Sequence, residues 1–257
     1  MLSKSKIKLI KSLEWRKFRD KEGLFVAEGP KVVGELMMRW TPTYVATLPR
    51  WAENHSELLA QVAECDIVSD EILRRCSLQS SPQDVLALFP LPNREWEASY
   101  MSTGLCLALD GVQDPGNLGT IVRAADWFGV ERIVCSLNTA DAYSPKAVQA
   151  TMGALARVSV LYADLPLLLG NCGVPVYGTF LDGANLYQIP LGFNGFIVMG
   201  NEGRGISPAV ERVVTERLLI PSFPPGRTTS ESLNVGVATS IVLSEFRRRE
   251  QQTEESK

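Results

Sequence analysis

The sequence predicts an α/β protein with two domains, and the alternation of strand and helix patterns along the chain is the main reason. Short apolar runs of strand length alternate with segments of helical spacing in both halves. In residues 1–92 this alternation predicts a small α/β sandwich. In residues 104–257 the strands are apolar almost throughout, which is typical of a mostly parallel sheet covered by helices on both faces. Residues 93–103 show neither period and are predicted to be a linker.

The elements of the first domain are predicted from caps and breaks. Ser3 precedes a segment of helical spacing that runs to about Phe18, and Ser69 precedes another. Pro30 suits the first turn of a helix. Further helices are predicted at 30–40, 54–65 and 70–77, and strands at 24–29, 43–48, 66–69 and 84–89.

The second domain repeats one pattern, an apolar strand followed by a helix. Ser144-Pro145 and Ser207-Pro208 each predict a helix N-cap followed by proline at the first helical position. The charged tail from Arg247 onward is predicted to fray. Strands are predicted at 104–110, 132–136, 174–180, 195–200 and 217–221.

Composition indicates an ordinary soluble globular protein, with 45% hydrophobic and 21% charged residues. No apolar run approaches the length of a membrane span, and the basic N-terminus lacks the apolar core of a signal peptide. Five scattered cysteines and one histidine, His55, predict a reduced cytoplasmic location and no metal site.

Positive charge is concentrated at the N-terminus, although the net charge of −3 argues against a nucleic-acid partner. Two interpretations stay open, which are contact with phosphates and a solvated helix face. Within residues 1–21 the acids are Glu14 and Asp20, and the cations are Lys4, Lys6, Lys8, Lys11, Arg16, Lys17, Arg19 and Lys21.

Polar residues follow three of the predicted strands, and the first group is DPGNLGTIVRAADWFG (114–129). Asn117 is predicted to be the N-cap of the helix that follows the Asp-Pro-Gly turn. Thr120, Arg123 and Trp127 fall on the outer face of that helix. An exposed tryptophan normally has something to cover, which favours a function for this face. The predicted core stripe is Leu118, Ile121, Val122, Ala125 and Phe128.

The second group is GNEGRGIS (200–207), a glycine-rich loop at the end of a strand. It does not match GxGxxG and lacks the lysine of a P-loop, so a dinucleotide or nucleoside triphosphate site has little support. Loops at the carboxyl ends of parallel strands nevertheless form ligand sites. Glu202 is therefore either a solvated loop carboxylate or part of such a site.

The third group joins Ile220-Pro221, a polar loop and SLNV (232–235) at the start of a helix. Backbone N–H groups at a helix N-terminus are free to bind oxygens. Ser232 is interpreted as the N-cap, as a substrate contact, or as both. The apolar face of the helix is Val235, Ala238, Val242 and Phe246.

These three motifs, in this order, resemble the SpoU/TrmH branch of the SPOUT RNA methyltransferases over roughly residues 105–247, and residues 1–92 resemble its RNA-binding domain less sharply. The resemblance implies a trefoil-knotted α/β domain, a homodimer through that domain with Trp127 at the contact, and no metal. It implies methylation of a ribose 2′-hydroxyl with S-adenosylmethionine, with ribosomal RNA favoured over tRNA. The alternative is a non-catalytic RNA-binding protein on the same scaffold.

The resemblance also assigns site residues, and it implies that Glu202 pairs with an arginine. Because a guanidinium is a donor and not a base, our hypothesis is that Arg123 clamps a phosphate while the proton leaves through phosphate, water or Glu202. Two departures stand out, a long 222–231 loop and Gly236 where Ser or Ala is commoner. The implied catalytic residues are Asn117, Arg123, Glu202, Ser232 and Asn234. The implied cofactor residues are Thr179, Gly200, Asn201, Gly203, Ile220, Pro221, Ser232, Leu233 and Asn234.

Overall fold

Contacts divide the chain into two compact units. Unit 1 is formed by Met1–Asn93 together with Asp141–Arg157, and unit 2 by Arg94–Ala140 together with Val158–Lys257. Residues 141–157 thus group with the first unit, whereas the predicted division leaves them in the second domain. The predicted linker, 93–103, lies outside the described residues. The computed structural model describes residues 2–92, 104–224 and 230–255.

Unit 1 is built on a sheet whose order is β1-β4-β2-β3 in the described residues 2–92. The β1–β4 and β2–β4 pairs are antiparallel, and the β2–β3 pair is parallel. The predicted strands of this unit are confirmed to within about two residues at each end. They are β1 (Leu24–Glu28), β2 (Tyr44–Thr47), β3 (Cys65–Ile67) and β4 (Val85–Pro90).

Unit 2 is built on a sheet in which every described strand pair is parallel, as predicted. The order within the described residues is β10-β8-β9-β5-β6-β7. The strand β7 was not predicted, and it forms by pairing with β6. The strands are β5 (Leu105–Asp110), β6 (Arg132–Ser136), β7 (Ser159–Ala163), β8 (Val176–Asn185), β9 (Gly195–Gly200) and β10 (Glu216–Leu219).

The helices follow the predicted caps in most places. Ser3, Ser69, Ser144 and Ser207 each accept a hydrogen bond from a backbone N–H of the helix they precede. The helices are α1 (Lys4–Ser12), α2 (Arg16–Glu22), α3 (Pro30–Met37), α4 (Pro49–Asn54), α5 (Ser56–Leu59), α6 (Asp70–Cys76), α7 (Pro115–Trp127), α8 (Pro145–Thr151), α9 (Leu165–Gly170), α10 (Pro208–Glu211) and α11 (Val235–Glu255).

Three helix predictions were wrong. The helix from Ser3 ends at Ser12, and α2 starts at Arg16 after a break. The helix predicted over 54–65 is replaced by two short helices, α4 and α5, which end at Asn54 and Leu59, and its last residue, Cys65, pairs with β2 as the first residue of β3. The tail does not fray at Arg247, since α11 continues to Glu255.

The core of unit 2 confirms the predicted stripe of α7. Leu118, Ile121, Val122 and Ala125 are fully buried, while Phe128 is half-buried. None of the helices in the described residues is long and apolar enough to cross a membrane.

Candidate active site

The first two motif loops meet at the carboxyl edge of the parallel sheet. Strands β5 and β9 are neighbours, and Asp110 at the end of β5 lies opposite Gly200 at the end of β9. The side-chain Nδ2 of Asn201 donates a hydrogen bond to the backbone oxygen of Gly111 at 2.7 Å. The carboxylate of Asp110 accepts from the backbone N–H of Ser207 at 2.7 Å. These bonds hold the glycine-rich loop against the loop that leads into α7.

One asparagine side chain connects all three motifs. The Nδ2 atom of Asn117 donates to Oε1 of Glu202 at 3.0 Å, and its Oδ1 accepts from Nδ2 of Asn234 at 2.9 Å. Both ends of the Asn117 amide are therefore used, which fixes its orientation. The sequence separations are large, so only the fold brings these three side chains together.

Two helices in this region, α7 and α11, are capped by residues other than the predicted ones. Asp114, not Asn117, is the N-cap of α7, since its Oδ1 accepts from the backbone N–H of Asn117 at 2.9 Å. Asn234, not Ser232, caps α11, because its Oδ1 accepts from the backbone N–H of Gly236 at 2.9 Å. Capping by Asp114 leaves the Asn117 side chain free to join the other motifs.

Glu202 is bound by amide groups, which corrects the implied arginine partner. Its carboxylate accepts from the backbone N–H groups of Gln113 and Asp114 at 3.3 and 3.2 Å, and from Asn117. In the described part of the chain no arginine forms a hydrogen bond or an ion pair with it. Partial burial alone would raise the pKa of Glu202, but these hydrogen bonds together lower it below its ordinary value. These hydrogen bonds therefore favour the ionised form of Glu202.

Three of the implied cofactor residues lie at a similar level along the sheet, with Thr179 inside β8, Gly200 at the end of β9 and Ile220 just after β10. In the sheet, Gly178 lies between Arg217 of β10 and Val198 of β9. Thr179 is the next residue, and its hydroxyl donates to the backbone oxygen of Val198 at 3.2 Å. Because parallel strands rise by about 3.3 Å per residue, the ends of β9 and β10 reach the same level. Gly200 and Ile220 thus leave the sheet on the same side.

The loop after β9 is tight and accepts only glycine at its start. A Cβ atom at Gly200 would lie 2.2 Å from the backbone carbon of Gly205. The backbones of Asn201 and Gly205 exchange two hydrogen bonds of 2.9 Å. The Asn201 side chain accepts from the backbone N–H groups of Gly203 and Arg204, both at 3.0 Å. These hydrogen bonds together define the shape of the loop.

The third motif presents apolar surface beside the network. Leu233 is 49% exposed, Ile220 and Pro221 are half-buried, and Ser232 is exposed. Residues 225–229 of the long loop lie outside the described residues, so its conformation stays a prediction. Gly236 is buried, and a Cβ there would lie 2.9 Å from Cγ2 of Thr120.

Arg123 is exposed on α7, as predicted, six residues beyond Asn117. That spacing places it about 9 Å further along the helix axis. Among the described residues no carboxylate or carbonyl oxygen accepts a hydrogen bond from its guanidinium. Trp127, one turn further on, is 85% exposed. Helix α7 therefore carries, besides Asn117, an exposed cation that forms no ion pair within the described chain.

Sequence reasoning missed the residues that support the first loop. The backbone N–H of Gly111 donates to the hydroxyl oxygens of Ser136 and Thr139 at 2.9 and 3.2 Å. No local pattern marks these two buried residues. The signal for Asp114 was present, because an aspartate before a proline is typical of an N-cap followed by proline at the first helical position.

Comparison with known proteins assigns the family. The profile of the SpoU rRNA Methylase family matches residues 104–244, and that of the MRM3-like substrate binding domain matches residues 4–87. The 23S rRNA (guanosine(2553)-2'-O)-methyltransferase RlmP of Bacillus subtilis is 31% identical over 94% of this chain and 96% of its own length. A TrmH-family protein from Porphyromonas gingivalis is 42% identical with a TM-score of 0.84, covering 97% of this chain and 99% of that one. An AdoMet-bound rRNA methyltransferase from Sinorhizobium meliloti is 27% identical with a TM-score of 0.85, covering 97% of both chains. The chain belongs to the SpoU rRNA methylase family.

Proposed function

We propose that this protein transfers a methyl group from S-adenosylmethionine to a ribose 2′-hydroxyl of ribosomal RNA. The observation that carries the proposal is the hydrogen-bonded chain from Glu202 through Asn117 to Asn234. It joins three polar loops, and Arg123, which pairs with no acid within the described chain, lies on the same helix as Asn117. The family, and the name of the Bacillus subtilis relative, support ribosomal RNA as the substrate class.

The residues present fit an adenosyl cofactor. Strand β10 ends at Leu219, so the backbone groups of Ile220 leave the sheet ladder and are available to a ligand. Leu233 supplies exposed apolar surface for a purine ring, and the glycines of the 200–205 loop allow close approach. When bound, S-adenosylmethionine supplies an activated methyl group. The residues proposed to hold it are Thr179, Gly200, Asn201, Gly203, Ile220, Pro221, Ser232, Leu233 and Asn234.

Arg123 is assigned to the RNA in this proposal. A ribose 2′-hydroxyl is a poor nucleophile until its proton leaves, so the site must orient it and stabilise the developing alkoxide. The guanidinium of Arg123 clamps the adjacent phosphate and supplies that positive charge. The proton of the 2′-hydroxyl leaves through phosphate, water or Glu202. Ser232 and Asn234 offer polar atoms to the substrate.

The finer architecture is also part of the proposal. Residues 104–257 form the trefoil-knotted methyltransferase domain, and residues 1–92 form the RNA-binding domain, which the substrate-binding profile over residues 4–87 supports. The second domain forms the homodimer, and the 85% exposure of Trp127 supports its place at that contact. The cytoplasmic location stays a prediction.

Methyl transfer from radiolabelled S-adenosylmethionine tests the proposal. The purified protein is expected to label ribosomal RNA, with the label retained as a 2′-O-methylated nucleotide after digestion. Label in tRNA alone would redirect the substrate, and no label with either RNA under conditions of tight RNA binding would favour the non-catalytic alternative.

Arg123→Lys sharpens the test, because lysine keeps the charge but loses the two-pronged donor geometry. We expect the methylation rate to fall by at least about tenfold. Arg212→Lys is the matched control, an exposed arginine outside the site that is expected to leave the rate unchanged. A near wild-type rate for Arg123→Lys would exclude the clamp. Normal RNA binding by Arg123→Ala would exclude phosphate clamping and leave a purely catalytic role.

A further inference from the structure

Strand β8 contains a bulge of five residues where it pairs with β10. Arg217 pairs opposite Gly178, but the next residue, Leu218, pairs opposite Ala184. Residues 179–183 are therefore looped out between two paired stretches. This bulge matters because it starts with Thr179, while β10 leads directly into Ile220.

The side chain of Arg217 occupies the bulge. Its guanidinium carbon lies 3.6 Å from the centre of the Phe180 ring, close enough for a cation–π contact. Its Nη2 lies 2.5 Å from Oδ1 of Asp182, and its Nη1 lies 2.6 Å from Oε1 of Glu211. The hydrogen bond from Arg217 lowers the pKa of Asp182 below its ordinary value, as expected for a paired carboxylate. One arginine therefore connects the bulge, β10 and α10.

At the far end of the bulge, the backbone of Gly183 packs so closely against β10 that no side chain fits there. A Cβ atom at Gly183 would lie 2.5 Å from the backbone carbon of Leu218 and 2.7 Å from its oxygen. The bulge is thus pressed against β10 at Gly183 and tied to it by Arg217. Helix α10 follows the 200–205 loop, so Glu211 links that loop's far end to the same cluster.

We propose that Arg217 is a positioning residue for the cofactor pocket. By holding Phe180 and Asp182 it fixes the bulge that carries Thr179 against the strand that delivers Ile220, and through Glu211 it restrains the helix after the glycine-rich loop. Arg217 contacts none of the proposed catalytic side chains. The inference rests on the proposed function, since it assigns these three loops to S-adenosylmethionine.

Cofactor affinity measured by calorimetry tests the inference on the full chain. Arg217→Met is expected to weaken S-adenosylmethionine binding by about tenfold, because a cation–π contact and two ion pairs are lost. Arg217→Lys keeps one ion pair and should recover part of that loss. RNA affinity, and kcat at saturating cofactor, are expected to stay at wild-type values while KM for the cofactor rises.

Arg212→Met is the matched control. This exposed arginine is the C-cap of α10, next to Glu211, and forms no ion pair within the described chain. Phe180→Leu removes the ring beneath the guanidinium and keeps all charges, which provides a second variant if Arg217→Met fails to fold. Unchanged cofactor affinity in a folded Arg217 or Phe180 variant would overturn the inference. A parallel fall in RNA affinity, cofactor affinity and Tm would also overturn the inference, because it would show that Arg217 stabilises the fold and does not position the cofactor pocket in particular. Failure of the wild-type protein to bind S-adenosylmethionine would instead overturn the proposed function.

Discussion

The first two helices and helix α7 all carry cationic side chains, but they use the charge differently. Arg19 on α2 is only 2% exposed, and its Nε and Nη2 donate to Asp141 at 3.1 and 2.6 Å. Its Nη1 donates to the backbone oxygens of Leu13 and Glu14, both at 2.7 Å. Arg123 on α7 is exposed and has no such partner among the described residues. A count of cations therefore does not measure the charge that is available to RNA.

The same difference appears within the N-terminal basic stretch. Lys6 pairs with Glu64 at 2.6 Å, and Lys11 donates to the backbone oxygen of Ser77. Lys4 and Lys8, one turn apart on α1, are exposed and pair with no acid in the described parts of the chain. Both interpretations stay open for this stretch, and Lys4 and Lys8 are two of its exposed cations.

The largest effect is expected for Arg19. Arg19→Met removes the ion pair to Asp141 and the two backbone hydrogen bonds of a buried guanidinium, a loss expected to cost about 3 kcal/mol. Urea unfolding followed by tryptophan fluorescence would measure this loss in the free energy of unfolding. Adding Asp141→Leu should recover part of it, because the carboxylate that lost its guanidinium partner is then absent.

Arg123→Met is the matched control for Arg19, and it should change the free energy of unfolding by less than about 0.5 kcal/mol. Equal losses for the two arginines would contradict the distinction between a structural and a free cation.

A smaller effect, with a defined pH dependence, is expected in the C-terminal helix. Glu245 accepts hydrogen bonds from Arg248 and Arg249 at 2.6 to 2.8 Å, and these lower its pKa from an ordinary 4.5 to about 2. A lowered pKa means that the carboxylate stabilises the folded state above pH 4.5 and loses this contribution as the pH falls toward 2. Glu245→Gln should therefore cost about 1 kcal/mol at pH 7.

The difference between Glu245→Gln and wild type should shrink steadily below pH 4.5, as urea unfolding at pH 7, 4 and 3 would reveal. Glu131→Gln, at an exposed position, provides the control and should show no such trend. A difference that grows on acidification would refute the assignment.

The smallest effects are expected for Lys4 and Lys8, two of the exposed lysines of the described chain. Lys4→Ala and Lys8→Ala should each weaken RNA binding a few-fold and reduce the slope of log Kd against log salt by about 1. Lys11→Ala should change the slope less, because this lysine already donates a hydrogen bond to the backbone oxygen of Ser77. Filter binding at several salt concentrations distinguishes these cases, and a larger slope change for Lys11 would break the comparison.

Local signals predicted the elements that depend on local chemistry. Ser-Pro pairs at 144 and 207 predicted two helix starts, and the apolar runs at 105–110 and 195–200 predicted central strands. Predictions failed where a distant partner decided the outcome. Strand β7 exists because it pairs with β6, and α1 ends where the Arg19 side chain takes up the backbone oxygens of Leu13 and Glu14.

The prediction that the C-terminal tail frays was wrong for the same reason, because the arginines of the tail bond to distant residues. Arg247 donates to the backbone oxygens of Phe128 and Gly129, and Arg249 donates to those of Leu186 and Ile189. These bonds anchor a segment that charge alone predicted to fray. Their acceptors lie far away in the chain, so no window of sequence contains both partners.

By itself, the sequence determined the alternation of strands and helices, the parallel sheet and the three polar loops, because backbone preference and apolar period act over a few residues. Only the tertiary structure decided that the Asn117 amide would bond to both Glu202 and Asn234, and that Arg19 would be buried while Arg123 is exposed. Hydrogen bonds and burial are set by which chain segments meet, and that meeting is a property of the whole fold.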